Sequence, residues 1–517
     1  MAPRRESMAN VDVAWLRLDH PTNLMMITGV LTFDGLLDYD RLWQTAEERL
    51  LPFTRFRQRA VPARTRLGTP QWEVDPAFDL RHHLRRISLP PPRDKQVLQD
   101  LVSELMSVPL DPDRPLWQFH LVDNYRGGSA LLGRLHHAIA DGVALMRVLL
   151  SLTDEEPDPP APPPAPEKKR RRRDPLARAM AAAQTTWQLS STLLHEGMET
   201  LCHPGRAVDV ARLGAGGTAR LGQILVRWPD PRTVFKGELG VPKRAAWSRP
   251  ISLADVKAVG KVTGGTVNDV LLTAMAGALG KYIQSRGEDV KGLNFHAVVP
   301  VNLRSLDQPI ELGNKFGLVF LSLPVGIRDQ VERLEELKRR MDELKRSPEA
   351  MAIFGLLNVV GRAPGEVEDV LVRLFGMKAT GVMTNVPGPR QQLYLAGSPL
   401  RDIMFWVPQS GRLGLGVSIV SYNDRVLLGV ATDAGLVPDP EAIVDAFHEE
   451  FTEMMALVEM VRADMLSAGG ASGDVMPDEE MPATQPARCQ ATTRSGRRCR
   501  NRARPRSATC HVHEKGE

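Results

Sequence analysis

Residues 130–151 read ALLGRLHHAIADGVALMRVLLS, and the fold turns on the joint in the middle of this stretch. Ala130 to Leu135 is a short apolar run suited to a buried strand, and Val143 to Ser151 carries its apolar residues at helical spacing. His136 and His137 sit where the two meet. Successive side chains on a strand point to opposite faces, so both histidines face one cavity only if the strand has already ended. One histidine is therefore expected to work and the other to pack. Asp141 is a good N-cap for the helix, and Gly142 permits a tight bend, which together predict a rigid loop.

A histidine pair satisfied by backbone carbonyls would account for HH alone. The whole pattern HHAIADG resembles the HHxxxDG signature of the acyl-CoA-dependent acyltransferase superfamily, which includes chloramphenicol acetyltransferase, carnitine acyltransferases and peptide-synthetase condensation domains. A metal-ligating pair is the weaker reading, because adjacent histidines lack the helical spacing that puts two ligands on one face. His82 and His83 form a second pair with no following DG and are read as surface or structural residues.

Composition bounds the rest. A chain of 517 residues has room for two or three domains, and 43% hydrophobic with 25% charged residues makes it globular. The net charge of +4 is concentrated in basic clusters at 168–173 and 488–506, so the core is not itself strongly basic. Only Cys202 lies outside the last thirty residues, which leaves the main body without a disulfide framework and suits a reducing compartment. The N-terminus MAPRRESMANVDVAW lacks an apolar signal core, and no run is long enough to span a bilayer. A cytoplasmic protein with at most peripheral membrane contact is expected.

Further matches appear along the chain. Residues 11–33 end in a β-branched run suited to a central strand, and 40–51 read as a helix. FTRFRQRAV, residues 53–61, alternates as a strand does. It is either a solvated charged face or a strand with one arginine turned inward. After a helix at Lys95 to Met106 comes DRPLWQFHLVD, in which Pro115, Leu116 and Trp117 resemble the PLW motif of the bacterial wax ester synthase/acyl-CoA:diacylglycerol acyltransferase family. NDVLLTAMAGAL, beginning with Asn268 and Asp269, resembles that family's ND motif, although an Asx pair is also an ordinary helix start. PVNLR at 300–304, LGN at 312–314, TNVPGP at 384–389 and SYND at 421–424 follow in the family's order. LGN and TNVPGP taken singly are turn chemistry.

These matches divide the chain. Residues 1–154 form an N-terminal acyltransferase subdomain and 155–175 a linker, with seven prolines in 157–166 and then six basic residues that serve as a soluble tether or meet anionic headgroups. Residues 176–230 are a helical crossover, and 231–462 a C-terminal acyltransferase subdomain. GAGGTA at 214–219 imitates a dinucleotide fingerprint but lacks the preceding strand. Residues 463–486 are a flexible linker and 487–517 a basic tail carrying Cys489, Cys499, Cys510 and His513. Three cysteines and a histidine ending in C-x2-H suit a tetrahedral structural zinc, and the eight arginines of this tail suit an anionic membrane, a nucleic acid or a protein.

The resemblance implies an α/β fold of two chloramphenicol-acetyltransferase-like subdomains, each a mixed sheet flanked by helices, with an active-site tunnel between them. It implies transfer of a long-chain acyl group from acyl-CoA to diacylglycerol or a long-chain alcohol, with contact to a membrane or lipid droplet and no catalytic cofactor. His137 is then the general base, His136 supports it, and Asp141 orients the loop with Arg57, or secondly Arg304, as its ion-pair partner. Asn268 polarises the carbonyl or places the acceptor, and Pro115, Leu116, Trp117 and Asp269 belong to the substrate-binding motifs. The alternatives are condensation-type transfer from a carrier-protein thioester, against which PLW and ND argue, and a non-catalytic lipid or nucleic-acid binder acting through the tail. No G-x-S-x-G elbow supports a serine hydrolase.

Overall fold

The β-branched run after Leu24 forms strand β2 (Met26–Phe33), buried along nearly its whole length. In the computed structural model, which describes residues 5–63, 68–158, 229–302, 312–346, 376–409 and 413–469, β2 lies inside a six-stranded mixed sheet. Its order is β13 (Tyr394–Leu395), β14 (Ser398–Trp406), β2, β7 (Gly128–His136), β6 (Trp117–Tyr125) and β5 (Leu84–Ser88). Only β5 and β6 pair in parallel. Helices α2 (Tyr39–Thr45), α3 (Lys95–Met106) and α4 (Gly142–Leu152) belong to this half. The helix expected at 40–51 changes pitch, because α2 runs on into a π-helical turn at Ala46–Leu50.

A second mixed sheet has seven strands. Its path is β11 (Phe316–Leu323), β10 (Phe295–Asn302), β12 (Gly381–Pro387), β15 (Leu415–Tyr422), β16 (Arg425–Asp433) and β8 (Lys243–Trp247), with β9 (Ile251–Ser252) also pairing to β16. Its helices are α5 (Leu253–Thr263), α6 (Val267–Ser285), α7 (Gln330–Lys345) and α8 (Pro440–Gly469). Every residue of α6 from Asp269 to Gly280 is buried, as the apolar run from Val270 requires. A small sheet of β1 (Arg5–Ser7), β4 (Gln71–Val74) and β3 (Gln58–Val61) and helix α1 (Asn10–Arg17) complete the N-terminal region.

Three expectations are corrected. The sequence division near 231 does not separate the sheets, since β13 and β14 come from residues 394–406 yet complete the first sheet beside β2. Strand β14 also faces the second sheet: a side chain at Gly429 would come within 2.9 Å of Met404 and closer still to the Trp406 indole. Residues 53–61 are a strand only from Gln58, because Thr54–Arg57 form a 3₁₀ turn. Phe53 and Phe56 are three apart, a spacing that such a turn eclipses onto one side, and their rings lie 6.4 Å apart. TNVPGP is a strand end before it is a turn. Thr384 to Pro387 belong to β12, and the chain leaves at Gly388, where a Cβ would approach the Ser421 carbonyl within 2.5 Å.

Among the described residues no helix is long and apolar enough to cross a membrane. The chain divides into compact units of residues 1–460 and 461–517. Most of the Pro-rich linker, the 176–228 crossover with GAGGTA, Arg304, and Cys489, Cys499, Cys510 and His513 lie outside the described residues.

Candidate active site

Strand β7 ends at His136, so the two histidines part company there. The His136 backbone N–H donates to the Leu116 carbonyl at 2.9 Å, and its Nδ1 accepts from the Ala138 N–H at 3.1 Å. Its Nε2 stands 3.7 Å from Asp19, whose carboxylate also accepts from the Met25 N–H at 2.6 Å. His136 thus closes the turn from behind. His137 has left the strand, donates its N–H to the Met25 carbonyl at 2.7 Å and turns its ring toward a cavity between the two halves.

The loop is clamped by LGN. Ala140 and Gly313 form a parallel bridge, with Gly313 N–H to Ile139 O at 3.1 Å and Asp141 N–H to Gly313 O at 3.3 Å. Gly313 has φ +104°, a backbone that side chains rarely adopt, so the glycine is required. Asp141 caps α4 as expected: one oxygen accepts from the Ala144 N–H at 2.8 Å and the other from the Lys315 N–H at 2.9 Å. One carboxylate therefore ties the helix start to LGNK. Gly142 is not in a left-handed conformation. What its missing side chain provides is open space, since a Cβ there would meet nothing within 4 Å.

The next residue of LGN fixes the histidine. Asn314 Oδ1 lies 2.9 Å from His137 Nδ1, while Asn314 Nδ2 donates to the His137 carbonyl at 2.9 Å and to Asp12 Oδ1 at 2.8 Å. Both latter partners are acceptors, so the amide nitrogen must face them and Oδ1 must face the ring. It follows that Nδ1 carries the proton and Nε2 keeps its lone pair for the cavity. Trp15 stacks on the imidazole at 4.3 Å and Phe316 packs beside it at 5.5 Å. Burial holds the His137 pKa down at about 4, against the pull of the Asp141 charge, so the ring is neutral near pH 7. Burial raises Asp12 to about 6, opposed by the Asn314 hydrogen bond and the Arg55 charge.

The cavity has a volume of about 430 Å³, and both sheets contribute to its walls, with Val298 and Phe316 on one side and Gly142, Met146 and Phe405 on the other. Asn385 lines it and donates through Nδ2 to Asn268 Oδ1, so Asn268 reaches the cavity at one remove. The helix carrying Asn268 is capped by Thr266 in a capping box with Asp269, and Asp269 is buried in that role. Trp117 lies in the core, where its Nε1 donates to the Phe56 carbonyl at 2.8 Å and its ring stacks on His83. PLW meets the site through the Leu116 carbonyl that holds His136; Pro115 and Leu116 do not line this cavity.

Arg57 is not brought to Asp141. Its carbonyl accepts from the Asp75 N–H, its guanidinium Nε is buried without a hydrogen-bond partner, and no ion pair joins it to Asp141. The inward arginine of this segment is Arg55, which lies over the Trp72 ring at 4.2 Å and acts on Asp12. His83 is structural, stacked between Phe78 and Trp117 with Nδ1 on the Trp117 carbonyl. Among the described residues no group of three or more His, Cys, Asp or Glu side chains is placed to hold a metal ion. Asp12, Trp15, Asn314 and Asn385 were not singled out from the sequence. LGN carried a signal as an ordered motif, whereas Asp12 and Trp15 carried none.

Comparison with known proteins bears on the same residues. Residues 8–271 match the family model of the wax ester synthase/diacylglycerol acyltransferase catalytic domain, and 312–455 match the WS/DGAT C-terminal domain. A probable diacylglycerol O-acyltransferase of Mycobacterium tuberculosis is 28% identical over 436 residues, covering 81% of this chain and 89% of that protein. A putative diacylglycerol O-acyltransferase of the same species is 29% identical over 472 residues, 89% of this chain and 91% of the relative. The solved wax ester synthase/diacylglycerol acyltransferase from Marinobacter aquaeolei VT8 superposes with a TM-score of 0.61 at 25% identity, covering 88% of this chain and 99% of that one. The first condensation domain of the calcium-dependent antibiotic synthetase shares the fold, with a TM-score of 0.55 at 17% identity over 88% of this chain and 97% of that one.

Proposed function

We propose that this chain, which belongs to the wax ester synthase/diacylglycerol acyltransferase family and is an acyl-CoA-dependent O-acyltransferase, uses His137 as the general base that activates the acceptor hydroxyl. The observation that carries the reading is the fixed tautomer: with Nδ1–H committed to Asn314, the lone pair is left on Nε2 of a ring that lines the cavity. The acceptor hydroxyl donates to Nε2 as its oxygen attacks the thioester carbonyl. Nε2 takes the proton, the tetrahedral adduct collapses with loss of the carbon–sulfur bond, and the proton passes from Nε2 to the departing thiolate. No acyl-enzyme is formed. The transient imidazolium is supported by Asn314 Oδ1 and the nearby Asp141 charge.

Asn385 is the donor proposed for the developing oxyanion. One of its amide protons goes to Asn268 and the second is directed to the carbonyl, with Asn268 orienting it. His136 and Asp141 are positioning residues. The acceptor is diacylglycerol, by likeness to the relatives named for it, and a long-chain alcohol in the same position has the same chemistry. Because these substrates reside in lipid, peripheral contact with a membrane or lipid droplet belongs to the proposal. Cys489, Cys499, Cys510 and His513 are proposed as a structural zinc site on their spacing alone, and zinc content of the purified protein against Cys499→Ser tests it.

The deciding experiment incubates purified protein with palmitoyl-CoA and diolein or hexadecanol and follows thiol release together with neutral lipid. His137→Ala is expected to lose about 100- to 10,000-fold in turnover. Full turnover by that variant would remove the assignment.

A further inference from the structure

The mechanism leaves one charged side chain of the catalytic cavity without a task. Among the described residues that line it, Arg147 is the only lysine or arginine, and neither the proton transfer nor the oxyanion contact calls on it. Helix α4 presents it by spacing. Val143, Met146, Arg147 and Leu150 stand at i, i+3, i+4 and i+7, one face of the helix, and all of them line the cavity. The second half contributes Pro300 and Asn302 at the end of β10 and Val386 and Pro387 at the end of β12. Arg147 is half-buried there, on a face of α4 that is otherwise apolar.

Position along the helix decides what the guanidinium reaches. Asp141 caps α4 and Gly142 begins it, so the Arg147 Cα stands about 7.5 Å along the axis from the helix start. Long helical side chains lean back toward the N-terminus, which carries the fork of Arg147 toward the histidine loop. An oxygen held there belongs to a group a few bonds from the atom at His137 Nε2. The ester carbonyls of diacylglycerol are such groups, because they hang on the same glycerol as the reacting hydroxyl. The diphosphate of CoA lies a full pantetheine arm from the thioester, and a long-chain alcohol has no oxygen besides the hydroxyl itself. A guanidinium carries several N–H donors in a planar fork, so an intramolecular partner still leaves donors for a ligand.

We infer that Arg147 reads the acceptor: its guanidinium donates to the ester carbonyls of diacylglycerol while the free hydroxyl lies at His137. The inference rests on the acyl-transfer reading and names within it the acceptor class, a diester in preference to a simple alcohol. A simple alcohol offers those donors only alkyl chain, and a site built to hydrogen-bond a polar group rejects the analogue that lacks it.

The test removes the carbonyls from the substrate as well as the donors from the protein. With the full chain and palmitoyl-CoA, kcat/KM is measured in detergent micelles of fixed composition for diolein, for its diether analogue 1,2-di-O-oleylglycerol, and for hexadecanol. The diether keeps the hydroxyl and both chains and lacks only the carbonyl oxygens. The unmodified chain should prefer diester to diether by about 10- to 100-fold, the range of a hydrogen bond from a charged donor. Arg147→Met should lose most of that preference, and its diolein-to-hexadecanol ratio should fall by about the same factor. Arg147→Lys keeps the charge without the fork and should lie between the two.

Equal use of diester and diether by the unmodified chain overturns the inference, whether or not the variants fold. A preference that survives in Arg147→Met overturns it too, by placing the carbonyls on another group. An equal loss for every acceptor, carried by a raised KM for palmitoyl-CoA, assigns Arg147 to the CoA arm and overturns it as well. Each of these outcomes leaves the acyl-transfer reading standing, whereas an unmodified chain that turns over no thioester with any acceptor overturns that reading and the inference with it.

Discussion

Asn314 Oδ1 lies 2.9 Å from His137 Nδ1, and the same amide holds Asp12 through its nitrogen. The pair joins two segments 177 residues apart and decides which histidine nitrogen can act as a base. Asn314→Ala leaves the Nδ1–H without its acceptor and frees the ring to adopt the other tautomer. A hydrogen bond to a group that becomes charged in the transition state is worth ~1.5–3 kcal/mol, so kcat should fall about 10- to 100-fold. The KM for acyl-CoA should hold, because Asn314 touches the base and not the chain. Steady-state kinetics that put the whole loss into KM would contradict this role.

The pH profile follows from burial. An unperturbed histidine titrates near 6.5, but desolvation holds His137 at about 4. The base is then already neutral at pH 6, and kcat/KM should stay level down through 6.5 and decline only toward 5 and below. Asp12 at about 6 titrates within that range, so the profile is to be recorded for Asp12→Asn as well. A half-maximal point near 6.5 in both proteins would mean that His137 is solvated in the working enzyme.

Asp12 also carries a stability signature. Burial lifts its pKa from 3.8 to about 6, so the folded chain binds this proton more tightly than the unfolded chain does. An acid whose folded pKa is raised lowers stability as pH rises between those two values, here from about 4 to about 6. The full cost is ~3 kcal/mol on the alkaline side. Asp12→Asn abolishes this titration. Denaturant midpoints at pH 4.5 and 7.5 should therefore differ less in Asp12→Asn than in the unmodified chain, and the variant should be the more resistant of the two at pH 7.5 while losing activity. Equal pH dependence in the two proteins would show that Asp12 is not buried as an anion.

Local pattern carried the strands, helices and motif order, because each is written within a few neighbouring residues. β7 and α4 flank HHAIADG as the apolar spacing requires, and α3 and α6 fall where their sequences put them. What stayed hidden depends on contacts across hundreds of residues. Nothing near Asp12 or Trp15 announces that they meet His137, and LGN looks like a turn until Gly313 is seen zipped to Ile139 and Asp141. The insertion of β14 beside β2 is a pairing that no local period encodes. Arg57 failed for a related reason: alternation suggested a strand, but the Phe53–Phe56 spacing makes a 3₁₀ turn and brings Arg55 inward instead.

Asp141 offers the last test, because its carboxylate ties the start of α4 to LGNK. Its two oxygens accept from the Ala144 and Lys315 N–H groups, so Asp141→Ala strips both of their acceptor. Each buried N–H left unmade costs ~1–3 kcal/mol, and the loss of the helix cap falls within the same sum. Asp141→Ala should lower the denaturation midpoint and, by loosening the loop, reduce kcat. Arg57 shares no partner with this clamp. Arg57→Ala and Asp141→Ala should therefore combine additively within about 0.5 kcal/mol in stability. A coupling well above that figure would mean that the arginine reaches the loop after all.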